Sequence, residues 1–288
     1  MQKGISLLVI ALLLVTSLFS QVDSIETRKA LRKARPVFIG IAAGLSFSNL
    51  RDFATSPLIY KGAPLYLSLN RSRFDRKRQS ELGLSYLFGN YFVDFNDNVD
   101  ISNVKTSSIY YSQLYRINRV SSEKWNFLLG GVCSFLGNYR VNDAFQNNSL
   151  GVEVFSNLLV SGKVSRDLTT EEIKSFSIWF INFTIPKRSR ELTFRLNLGL
   201  LNTAYRNGYI YTRTGGLIGT GSVFSGYEFL TGGARLNSEL VYTTHLPNKN
   251  AIRVGYAWDM LKSPDEYDQL EMAWHTFKIA LLFNTNNK

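Results

Sequence analysis

Apolar and polar residues alternate with period two along most of this chain, the spacing of extended strands with one dry and one wet face. The first such run starts at Val37. Val37, Ile39, Ile41, Ala43, Leu45 and Phe47 fall on one face, and Gly40, Ala42, Gly44, Ser46 and Ser48 on the other. The same phase separation recurs at Leu65–Leu69, Leu82–Phe88, Ile109–Ile117, Trp125–Phe135 and Val152–Val160. It is clearest over Leu192–Asn202, where Leu192, Phe194, Leu196, Leu198 and Leu200 oppose Thr193, Arg195, Asn197 and Gly199. Ser175–Ile185 is apolar in both phases, which predicts either a strand bordering a plug or one crossing the sheet with a bulge. Asn207-Gly208 is the strongest hairpin signal, followed by Thr231-Gly232-Gly233 and Pro247-Asn248-Lys249-Asn250. Longer polar links are predicted at Leu50–Ala63, Val93–Lys105 and Lys262–Gln269. The pattern predicts an all-β chain of about twelve strands, within a range of ten to fourteen. The uncertain stretch is Tyr209–Leu230, with Gly215, Gly216, Gly219 and Gly221.

A different pattern precedes the strands. Ile5–Phe19 is almost unbroken hydrophobe behind Lys3, the arrangement of an export signal and shorter than a bilayer-spanning helix. We place cleavage after Ser20, giving a signal peptide at residues 1–20; an uncleaved anchor is the competing arrangement. Residues 21–36 form a basic segment that contains Arg28, Lys29, Arg32, Lys33 and Arg35 and ends at Pro36. Residues 37–288 read as one strand-built domain. The single cysteine, Cys133, excludes an intramolecular disulfide, and a zinc site lacks its usual ligands.

The formal net charge is +11. A basic soluble chain points to nucleic acid, but here the chain is exported and its basic residues are dispersed, so no nucleic-acid partner is expected. With 15 Tyr, 20 Phe and 4 Trp, aromatics are abundant, and many stand near predicted strand ends: Tyr60, Tyr91, Trp125, Tyr139, Tyr205, Trp258 and Trp274.

An export signal, dyad alternation and aromatics at strand ends together resemble the outer-membrane β-barrels of Gram-negative bacteria. The resemblance covers roughly Val37 to Asn284 and rests on pattern rather than on a motif. It implies a transmembrane antiparallel up-and-down barrel in the cell outer membrane, with both chain ends periplasmic. The partners it implies are membrane lipid, lipopolysaccharide and the barrel insertion machinery. Many such barrels end in an aromatic residue; here Asn284–Lys288 follow Phe283, a departure at the terminal signal. A soluble periplasmic sandwich or lipocalin-like barrel would also alternate, and the aromatics argue against it.

Chemistry inside or on such a barrel has few candidates. On the inferred inner phase stand Arg195, Arg235, Arg253 and Lys278, with Glu239 and Asp259 late in the chain and Glu81 and Glu153 earlier. A basic arc of this kind lines either a narrow, anion-biased channel or the ion-pair network of a filled structural or interaction barrel. The alternative of a different class is a barrel lipid hydrolase, a phospholipase or lipid A deacylase-like enzyme, working through a His–Ser pair. The only histidines are His245 and His275, and neither has Ser two residues on, so a serine would have to come from a neighbouring strand. A non-enzymatic role is the expectation. Asp94, Asn96, Asn98 and Asp100 space oxygen ligands as at the start of a calcium loop. Val99 replaces the required Gly and no closing Glu follows, so a solvated loop is the favoured reading. No cofactor is expected.

Overall fold

The computed structural model describes residues 35–95, 98–142, 150–169, 174–178, 181–185, 188–207, 227–264 and 268–285. The predicted signal peptide and nearly all of the basic segment lie outside these residues. The strands are β1 (Val37–Asp52), β2 (Ser56–Gly62), β3 (Leu65–Phe74), β4 (Arg78–Phe95), β5 (Asn98–Arg116), β6 (Trp125–Val141) and β7 (Leu150–Asp167). After these come β8 (Lys174–Ile178), β9 (Ile181–Ile185), β10 (Arg190–Asn207), β11 (Tyr227–Thr231), β12 (Ala234–His245), β13 (Ala251–Lys262) and β14 (Leu270–Asn284).

Every strand pairing is antiparallel, and the ladder closes on itself: β14 pairs with β1, and β7 pairs with β10. Two staves are each built from two strands. β2 and β3 both lie between β1 and β4, interrupted at Ala63-Pro64, where proline has no N–H to give to the ladder. β11 and β12 both pair with β10, interrupted at Gly232 (φ 115) and Gly233 (φ 76). Ten staves therefore form the closed barrel. Closure pairs every stave on both sides, which is what an irregular or open sheet cannot do in lipid.

The remaining two strands, β8 and β9, pair among the described residues only with each other, as a separate hairpin. Ser175–Ile185, for which a strand bordering a plug or one crossing the sheet with a bulge was expected, is thus a two-stranded hairpin outside the barrel sheet. This hairpin and the ten staves make twelve strands, but the barrel itself has ten. Thr231-Gly232-Gly233 is likewise not a hairpin turn but a break within one stave. Gly208 lies outside the described residues, so the Asn207-Gly208 turn does too. The turn at Pro247–Asn250 joins β12 to β13, with Lys249 at φ 63.

The links at Leu50–Ala63 and Val93–Lys105 turn out to be mostly strand, since β1 runs to Asp52, β4 to Phe95, and β5 starts at Asn98. Their composition reads as loop because polar residues such as Asn49, Asp94 and Asn98 interrupt the alternation there, although Ile59, Val99 and Ile101 remain exposed. All three predicted links stand at one end of the barrel, opposite the end where Val37 and Asn284 lie. We call the latter the terminal end and the former the far end.

The outward face carries the apolar belt. On β1, Ile39, Ile41, Leu45 and Phe47 are exposed, followed by the polar Asn49 and Arg51. Leu65, Leu67 and Leu69 continue the belt on β3, Leu82 and Leu84 on β4, Phe194 and Leu198 on β10, and Phe277, Ile279 and Leu281 on β14. Ile39 to Phe47 is about nine residues, the length of a transmembrane strand. Water would not tolerate so wide an exposed apolar ring; hydrocarbon does. Trp125, Tyr139 and Tyr205 are exposed. Tyr60, Tyr91 and Trp274, also predicted at strand ends, are buried instead and point inward.

Candidate functional site: the barrel interior

Three layers fill the lumen. Nearest the terminal end is a cavity of about 310 Å³, lined among others by Lys163, Glu191, Arg195, Glu239, Arg253 and Lys278. It reaches Asp75 and the exposed Arg76, in the turn between β3 and β4. A smaller cavity of about 150 Å³ follows, lined by Arg195, Asn197, Arg235, Asn237 and Asp259. Beyond it the lumen is filled by an apolar cluster: Leu50, Tyr60, Tyr91, Val104, Leu136, Phe155, Leu261, Leu270, Met272 and Trp274, all buried.

The strand register explains which charges meet. Arg195 on β10 faces Lys163 on β7 and Glu239 on β12. Its guanidinium lies 3.7 Å from Glu81, and its Nε donates to Ser161 and Asn197 at 3.1 Å each. Glu81 also accepts from Tyr110 at 2.9 Å and Asn70 at 3.0 Å. Arg235 binds Asp259 at 2.7 Å, and Lys278 binds Glu239 at 2.6 Å while lying over the Tyr66 ring. Thus Arg195, Arg235, Arg253, Lys278 and Glu239 all line the interior, and three of the four cations have a carboxylate partner. Arg253 has neither hydrogen bond nor ion pair among the described residues; its Nε is buried and unpaired, and its guanidinium lies 5.5 Å from the Phe74 ring centroid.

A second network, which the sequence pattern does not reveal, braces the far end. Asp52 takes Arg206 at 2.7 Å on one carboxylate oxygen and Arg140 on the other. Arg140 also reaches Glu153 at 3.5 Å, and Glu153 accepts from Asn138 at 2.7 Å. Arg206 donates further to Ser263, at 3.2 Å, and to the Asp268 carbonyl. Asp52 lies five residues past Phe47, beyond the apolar belt. Burial pushes its carboxyl up, but Arg140 and Arg206 outweigh this and hold it below the usual carboxylate range.

Arg206 is inward because of one irregularity. The β10–β7 register shifts between Gly199 and Leu201, and Leu200 and Leu201 are both exposed. In β10 before the bulge, even-numbered residues face lipid; after it, Ala204 and Arg206 face inward. The phase of Leu192–Leu200, extended without the bulge, turns Arg206 outward.

The remaining predicted residues are scattered. His275 is on the outward phase of β14; its Nδ1 is 2.7 Å from Tyr256 Oη, and its register partners are Phe47 and Trp258. His245 ends β12, with its N–H donating to the Ser189 carbonyl at 2.9 Å; the Ser189 hydroxyl meets Thr169 at 3.5 Å. Asn96 lies outside the described residues. Alternation puts Asp94 outward with Phe92 and Asp100 inward with Ser102, and Asp100 accepts from Tyr60 at 2.6 Å and Asn142 at 3.0 Å. Among the described residues no cluster of three or more His, Cys, Asp or Glu is placed to hold a metal.

The closed ladder, lipid-facing belt and polar interior define a β-barrel of the outer-membrane type. No protein-family model matches the chain, and no curated protein does. Among solved structures, it is similar to the outer membrane protease OmpT from Escherichia coli, at 7% identity and a TM-score of 0.42, over 86% of this chain and 96% of that one. It is also similar to Neisserial surface protein A (11%, TM-score 0.33, covering 86% and 97%) and to Ail, the attachment invasion locus protein of Yersinia pestis (11%, 0.29, covering 85% and 98%).

Proposed function

We propose that this chain works in the outer membrane as a structural or interaction barrel with a closed lumen, rather than as an open channel, and that its terminal end is periplasmic. The observation that carries this reading is the apolar cluster across the far half of the lumen. Ions cross a low-dielectric layer only at a large desolvation cost, and the buried Leu50, Tyr91, Met272 and Trp274 put apolar side chains in that path. The pairing of Arg195, Arg235 and Lys278 with carboxylates supports it, since a neutralised arc offers little attraction to a passing anion. The hydrolase alternative finds no support around the histidines: His275 faces Tyr256, Phe47 and Trp258, and no serine hydroxyl bonds either imidazole among the described residues.

Planar-bilayer recording in a salt gradient tests the reading. The protein should give no single-channel steps, whereas Met272→Ala combined with Trp274→Ala should produce them by emptying the cluster. Stable, anion-preferring steps from the unaltered protein, weakened by Arg253→Gln, would overturn it in favour of a channel.

A further inference from the structure

The terminal-end cavity holds a charge the barrel does not use. Of the cations lining it, Arg195 and Lys278 are paired with Glu81 and Glu239. Arg76 caps backbone carbonyls of Ser122 and Glu123, and Asp75 accepts from the N–H groups of its own turn, Lys77 and Arg78. What remains is Lys163 and Arg253 against Glu191. Lys163 donates to the neutral amide of Gln79 at 2.9 Å, leaving two of its three N–H groups, and has no carboxylate at ion-pair distance among the described residues. Arg253 makes no hydrogen bond among the described residues, and its Nε is buried without a partner. Glu191 is partly satisfied by the Thr193 hydroxyl at 2.9 Å. The unmatched balance is one positive charge.

The apolar side of the same cavity is aromatic. Phe74 lines it and stacks on Phe38 with ring centroids 4.7 Å apart, and Arg253 lies over the Phe74 face. The guanidinium carbon of Arg253 lies 5.5 Å from the Phe74 ring centroid, and an arginine N–H fork can meet a carboxylate with two parallel bonds. A volume of about 310 Å³ is at the small end of ligand pockets.

We propose that this cavity is a binding site for a small organic monoanion: a carboxylate held by Arg253 and Lys163, with an apolar body against Phe74, entering from the terminal end past Arg76. The site lies wholly in the terminal half, so it stands whether or not the far half conducts. One negative charge neutralises the unmatched cation; a dianion would leave an excess negative charge beside Glu191. A neutral ligand would leave the Arg253 fork unpaired.

Calorimetric titration of the detergent-solubilised full chain with benzoate, and with benzamide as its neutral counterpart, tests the proposal. Benzoate should bind saturably and benzamide at least tenfold more weakly. Arg253→Gln and Lys163→Gln should each weaken benzoate tenfold or more, and Arg235→Gln, in the smaller cavity, should not. Intermolecular NOEs from benzoate ring protons to Phe74 in the unaltered protein locate the site without any substitution, which keeps the test decisive if a variant does not fold. Absence of saturable benzoate binding, equal binding of benzamide, or NOEs only to residues elsewhere would each overturn it.

Discussion

Replacing Asp52 by Asn should cost this barrel about 3 kcal/mol, far more than removing a charge elsewhere on it. Asp52 bridges two arginines that are 4% and 1% exposed, and accepts two further bonds from the Ala54 N–H and the Thr55 hydroxyl. The four charged groups, Asp52, Glu153, Arg140 and Arg206, sum to zero. Asn keeps one oxygen, enough for Arg206 or Ala54, but places an NH₂ against Arg140 and leaves a net positive charge in a buried site. Breaking a buried pair from one side costs roughly 3–5 kcal/mol, and the oxygen retained puts this case at the lower end. Two other pairs set the scale. Arg235–Asp259 has a carboxylate 26% exposed, so Asp259→Asn should cost about 1.5 kcal/mol, the value of one charged hydrogen bond. Lys262–Glu271 is 43% and 36% exposed, and screening by solvent should keep Glu271→Gln within about 0.5 kcal/mol. Equilibrium unfolding in lipid vesicles with a chemical denaturant, followed by tryptophan fluorescence, measures all three. The reasoning fails if Asp52→Asn falls within error of Glu271→Gln. It also fails if Arg140→Gln added to Asp52→Asn costs the full sum of the two, since residues of one network must couple.

Three further outcomes follow from the same geometry. Because the folded-state carboxyl of Asp52 lies below its unfolded value, its stabilisation is complete above the ordinary carboxylate range near ~4 and is lost only as pH falls through the depressed value; the stability difference between the natural chain and Asp52→Asn should therefore be flat from pH 8 to about 5 and shrink below that, and a difference that grows on acidification would refute it. Deleting Leu200 removes the one residue of the bulge that has no β7 partner and joins Gly199↔Leu159 directly to Leu201↔Leu158, so Arg206 stays inward and the variant should still give the heat-modifiable band of a folded barrel on gels; loss of that band would show that the bulge does more than set the phase of Arg206. Gly233→Ala should destabilise by about 1–3 kcal/mol, since the position has φ 76 and an added Cβ would stand 2.3 Å from the Lys262 carbonyl oxygen, and an unchanged unfolding midpoint would count against that strain.

The sequence by itself determines the barrel wall. A strand in a membrane has lipid on one face and a wet or packed interior on the other, so period-two alternation carries both its existence and its orientation. β1 begins at Val37, as its alternation indicates, and Arg195, Arg253 and Lys278 are among the residues that line the terminal-end cavity. Where the solvent changes, that signal ends. Asp52, Tyr60, Tyr91 and Asp100 occupy stretches that read as loops or interfacial aromatics, because toward the far end both faces mix polar and apolar residues: Asp52 and Asp100 turn inward beside Tyr60 and Tyr91, while Asn49 and Asp94 stand outward with Phe92 and Ile101. Only the tertiary structure decided the rest. Ten staves close rather than twelve, because Pro64 and Gly232-Gly233 interrupt staves without turning them and β8–β9 pair apart. The bulge at Leu200 exchanges the two faces of β10, and a one-residue register shift leaves the local composition unchanged while moving Arg206 from lipid side to lumen side. Ion pairs such as Asp52–Arg206, 154 residues apart, depend on ring closure. Strand phase tells which way a charge points, and only the closed register tells which charge it meets.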